Sequence, residues 1–145
     1  MKYPDLVKTD LIQFGKLSKE TFFQYAKKYA NDLINIVNHN GYDGEEVAVQ
    51  LAYYLLNIED SITDDHERFI QCVIGSNYTN SSFKNYLHSS KIRNVSRYEL
   101  KNIFESCDLV NGTGGPLYML MICLLIANGK TSMEELDILE YFCDC

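Results

Sequence analysis

The run LYMLMICLLIA, Leu117–Ala127, carries eleven residues without a charge, a glycine or a proline. A membrane span takes ~20 such residues, so this run is too short to be one. A helix that is apolar on every side is buried in protein instead. Pro116 suits a first helical position and Asn128-Gly129 a helix stop. The run therefore predicts a buried central helix.

Elsewhere helical spacing dominates and strand alternation is scarce. Ser18 opens a long helix whose Phe22, Ala26, Tyr29, Leu33 and Val37 form one apolar stripe, and Gly41 follows its end. Asp43, with Glu46 three residues on, gives a capping-box pattern. The helix it opens has Val47, Leu51, Leu55 and Ile58 inside and a polar track of Glu46, Gln50, Tyr53 and Asn57. Thr63 opens a shorter helix bearing Phe69, Ile70 and Val73, which Gly75 ends. The polar stretch SNYTNSSFKNYLHSSKIRNV reads as loop with a short helix near Phe83–Leu87. Ser96 with Glu99 starts a helix carrying Leu100, Ile103 and Phe104. Ser132 with Glu135 starts the last one, with Met133, Leu136, Leu139 and Cys143 inward and Glu134, Asp137 and Asp144 outward. The expectation is an all-α fold, a single compact domain over residues 1–145 with six or seven helices. At 46% hydrophobic and 23% charged, the chain has the composition of a folded domain with its own core.

Two segments echo each other. NIEDSITDDHERFIQ from Asn57 and ANGKTSMEELDILEY from Ala127 each follow an apolar run, turn, reach Thr63 or Ser132, and continue through acids into a helix. The register is constant, since 131 − 62 = 69 relates Ile62 to Thr131 and 132 − 63 = 69 relates Thr63 to Ser132. One reading is an internal duplication. The other is that any helical hairpin needs a stop, a cap and early acids that complement the helix dipole.

Charge follows the same units. Residues 43–67 hold eight acids and no Lys or Arg, and residues 105–145 hold seven acids and the single base Lys130. Residues 69–104 hold five bases against one acid. The net charge is −7, which disfavours direct contact with nucleic acid or an anionic membrane surface and favours a basic protein or a cation. The five cysteines are odd in number and the first ten residues lack an apolar signal core, so free thiols in a reducing, cytoplasmic compartment are expected. Cys72, Cys107 and Cys123 fall in apolar helical contexts and are expected in the core.

No motif names a reaction. An EF-hand loop counted from Asn57 would place Ile62 where Gly is needed and Arg68 where Glu is needed. NGTGGP lacks the preceding strand and the Lys-Ser/Thr of a phosphate loop. Cys143 and Cys145 have no second cysteine pair with which to complete a zinc site.

The segment LLIANGKTSMEELDIL resembles the tellurite-resistance B-type (TerB-like) helical family, which repeats Ala, Asp, Gly, a spacer, Ile, Ser and several acids. Ala127, Gly129, Ser132, Glu134 and Glu135 match, with Asn128 in place of the acid and Thr131 in place of Ile. In the first copy Glu59, Ile62, Thr63, Asp64 and Asp65 match, and Asp60 stands where Gly is expected. The resemblance spans about two hairpins. It implies an all-α fold and suggests a divalent cation held by acidic turns. In physical character the chain is also similar to bacterial immunity proteins, acidic helical proteins that bind and block a basic toxin, often a nuclease.

The leading expectation is thus a non-catalytic protein, without cofactor or metal, that neutralises a basic protein partner such as a toxin domain. Glu59, Asp60, Asp64, Asp65, Glu67, Glu134, Glu135 and Asp137 would supply its negative face, and Tyr53 an aromatic anchor. The alternative is a TerB-like stress-response protein that binds a divalent cation through the same turns.

Overall fold

The computed structural model describes residues 3–58, 61–75, 78–111, 114–129 and 132–143, and side chains from Val7 onward. Nine helices and no strand occur among them: α1 (Tyr3–Gly15), α2 (Lys19–His39), α3 (Gly44–Leu56), α4 (Asp64–Val73), α5 (Asn80–Leu87), α6 (Ser90–Arg93), α7 (Arg97–Ser106), α8 (Pro116–Asn128) and α9 (Met133–Cys143). None is long and apolar enough to cross a membrane.

α8 lies at the centre, with every residue from Leu117 to Leu125 buried. Helices α1, α2, α3, α4 and α9 all pack on it, which is how an element with no polar face is covered on all sides. Gly129 ends it at φ 85°, a left-handed conformation that costs glycine little.

The all-α expectation holds, but with nine helices in place of six or seven. The polar stretch after Gly75 folds into α5 and the one-turn α6, and the N-terminal segment forms α1. Val7, Leu11 and Phe14 give α1 a stripe facing the core, masked in the sequence by Lys8, Thr9 and Asp10. Tyr118, the one phenol in the central run, needs a polar partner when buried. Its hydroxyl donates to Asp10 Oδ2 at 2.5 Å, tying α8 to α1.

The α2–α3 corner depends on Gly44. Its N–H donates to Asn38 Oδ1 at 2.7 Å, and a Cβ there would collide with the Ile34 carbonyl of α2. α4 docks on α2 by rings, Phe69 lying 5.9 Å from Phe22 and 5.6 Å from Phe23. Gly75 lets the chain pass against the buried Phe83 ring. At the other side Phe142 of α9 packs edge-on against Phe104 of α7 and Tyr54 of α3.

Two side-chain assignments need correction. α9 buries Glu135, Ile138, Leu139, Phe142 and Cys143, while Met133, expected inside, is 73% exposed. Cys107, Cys123 and Cys143 are buried, but Cys72 is exposed on α4 and is not a core residue.

Candidate functional site

Both echoed corners close with the same hydrogen-bond device. At the start of α4, Thr63 Oγ1 accepts from the His66 N–H at 3.2 Å, and the Thr63 N–H donates to His66 Nδ1 at 3.3 Å. At the start of α9, Ser132 Oγ accepts from the Glu135 N–H at 3.2 Å, and the Ser132 N–H donates to Glu135 Oε1 at 3.2 Å. His66 and Glu135 obey the same 69-residue offset. Each corner thus satisfies helix-start N–H groups that lack intrahelical partners.

This device removes Glu135 from the expected negative face. Its second oxygen accepts from Asn128 Nδ2 at 3.1 Å, and the residue is 1% exposed. A carboxylate with partners on both oxygens, inside the corner, presents nothing to a partner protein.

The remaining acids fall into two groups. Glu59 and Asp60 lie outside the described residues. Asp64 and Glu67 border an open groove of about 630 Å³ between α2, α4 and α5, floored by Phe83. Lys27, Arg68 and Lys84 line the same groove, so its charge is mixed. Asp65 is exposed and ion-paired to Arg68, an arrangement worth little in water. Glu67 meets His88 Nε2 at 2.6 Å, and further along Lys91 approaches Glu46 at 3.7 Å. Of the acids placed on α4, only Asp64 has neither an ion-pair nor a side-chain hydrogen-bond partner among the described residues.

On α9 the balance differs. Glu134 and Asp137 are exposed, Glu140 is half-buried, and the helix carries no base. None of the three has an ion-pair partner among the described residues. No α9 residue lines the groove beside α4. α4 packs on α2, α3, α5 and α8, whereas α9 packs on α7 and α8 and reaches α3 only through Phe142 and Tyr54 among the ring contacts described. The acids of the two hairpins therefore belong to different surroundings.

Tyr53 is half-buried against the core. Among the described residues, the aromatic most open to solvent is Tyr98 of α7, at 69%. Sequence reasoning missed it because a tyrosine next to Arg97 and Glu99 gives no periodic signal. Among the described residues, no three His, Cys, Asp or Glu side chains converge as a metal site would require. His66 commits Nδ1 to its cap.

No protein-family model, no curated protein and no solved structure matches the chain.

Proposed function

We propose that this is a non-catalytic binding protein whose exposed carboxylates engage a basic protein partner, in the manner of a toxin-immunity protein. The observation that carries the reading is the set Asp64, Glu134, Asp137 and Glu140, which have no ion-pair partner among the described residues of a chain with net charge −7. Carboxylates free of internal partners retain their field toward an approaching cationic surface. They accelerate encounter more than they add affinity. Asp65 and Glu46 contribute less, because part of their field is already cancelled by Arg68 and Lys91, and Glu67 has one oxygen occupied by a hydrogen bond with the His88 ring.

The partner reading is tested by co-expression with a basic toxin domain encoded beside this chain's gene. Restored growth, with an association rate that falls steeply between low and high salt, is the expected result. Growth arrest that persists despite a folded, abundant protein, or an association rate indifferent to salt, would count against it.

A further inference from the structure

Among the described residues, the two most exposed large apolar side chains are Met133 at 73% and Tyr98 at 69%, and both border the outer face of α9. At 100° per residue, Met133, Glu134, Asp137, Glu140 and Tyr141 fall within an arc of about 120°, opposite the buried Glu135, Ile138, Leu139 and Phe142. Tyr98 meets Tyr141 edge-on, with centroids 6.4 Å apart at 88°. Eight residues of helix, about 12 Å, separate Met133 from Tyr141, and the carboxylates lie between them.

Among the described residues, the two cations of α7 beside this face are already engaged. Lys101 donates to the Tyr141 carbonyl oxygen and lies 4.7 Å from that ring's centroid. The Arg97 guanidinium sits over the Tyr54 ring at 5.9 Å. Lys101 thus braces α7 against α9 and Arg97 braces α7 against α3, and neither pairs with Glu134, Asp137 or Glu140.

Resting on the basic-partner reading, we infer that the α7–α9 face is the docking surface, with Tyr98 and Met133 as its anchors and Glu134, Asp137 and Glu140 as its charge-selecting groups. Tyrosine and methionine are enriched in the cores of protein interfaces, and a cluster of acids between them selects lysine and arginine on the other side. A second copy of this chain fits poorly, because a two-fold contact would set carboxylates against carboxylates. The groove beside α4 is the weaker surface, because Lys27, Arg68 and Lys84 oppose its acids.

The test is a low-salt titration of the ¹⁵N-labelled full chain with a synthetic amphipathic Lys/Leu peptide, read by amide chemical shifts. Saturable shifts at 133–141 and 97–101 are expected. Tyr98→Ser combined with Met133→Ser should weaken binding about fivefold or more, as should Asp137→Lys, while Glu20→Lys, the same charge change at the exposed start of α2, leaves it within about twofold. Both anchors are exposed, so their loss leaves the fold intact, which circular dichroism checks. Shifts centred on residues 43–46 or 64–84 overturn the assignment of this face yet leave the basic-partner reading standing. The same holds if the anchor variants bind like the parent. Absence of any saturable binding overturns both.

Discussion

Asn128 Nδ2 donates to Glu135 Oε2 at 3.1 Å, joining the last turn of α8 to the first turn of α9 across the corner. The other oxygen of Glu135 holds the Ser132 N–H. A residue with the composition of a surface acid is thereby turned into an internal clasp. Glu135→Ala should lower the stability of the fold by about 1–3 kcal/mol, read from urea unfolding, since it removes the side-chain half of the capping box and both bonds its carboxylate accepts from part-buried donors, while the Ser132 cap itself stays. Glu135→Gln should recover part of the loss, because its single carbonyl oxygen serves one of the two donors. Asn128→Asp should also destabilise, by setting two carboxylates against each other. A neutral result for Glu135→Ala would show that the clasp carries no weight.

Gly44 gives a prediction of sign. In an open helix, Gly→Ala stabilises by about 1 kcal/mol. Here the added methyl meets the Ile34 carbonyl and the Asn38 side chain, so Gly44→Ala should destabilise by about 1–3 kcal/mol. Thermal unfolding distinguishes the two outcomes, and a raised Tm contradicts the close α2–α3 approach.

The thiols should separate by burial. Cys72 is exposed, whereas Cys107, Cys123 and Cys143 are buried, and burial pushes the Cys123 thiol up to about 12 from its ordinary 9.0. Under native conditions at neutral pH, a thiol-specific alkylating reagent should label Cys72 within minutes and leave Cys107, Cys123 and Cys143 unmodified until denaturant is added. Peptide mapping by mass spectrometry reads this, and native labelling of Cys123 would contradict the central position of α8.

Stability should decline in alkali. Burial raises the Tyr78 and Tyr86 phenols above their ordinary 10.0, and nearby Glu45, Asp43 and Glu46 push the same way. The Cys123 thiol is raised from 9.0. Below those ordinary values both folded and unfolded chains hold these protons, so the groups add no pH dependence. Above them the unfolded chain releases protons first, and unfolding becomes progressively easier. Urea midpoints should therefore fall from about pH 9 upward. Tyr86→Phe should flatten the part of the decline that begins near pH 10, and an unchanged slope would remove Tyr86 as a contributor.

What the sequence determined alone was whatever depends on neighbours within about four positions. The burial of Leu117–Leu125, the caps at Ser18, Asp43, Thr63, Ser96 and Ser132, and the left-handed stop at Gly129 follow from helix periodicity and from N–H groups that need acceptors. Tertiary structure decided which way side chains face where local patterns are balanced. Asn128 of α8 draws Glu135 inward, and α9 accordingly turns Met133 out. α1 became visible only once α8 supplied a surface for Val7 and a phenol for Asp10. The same packing sets Arg68 against Asp65 and the His88 ring against Glu67, while Glu134, Asp137 and Glu140 of α9 have no ion-pair partner among the described residues. Charge is written locally, but the field it projects depends on which cations the fold brings alongside.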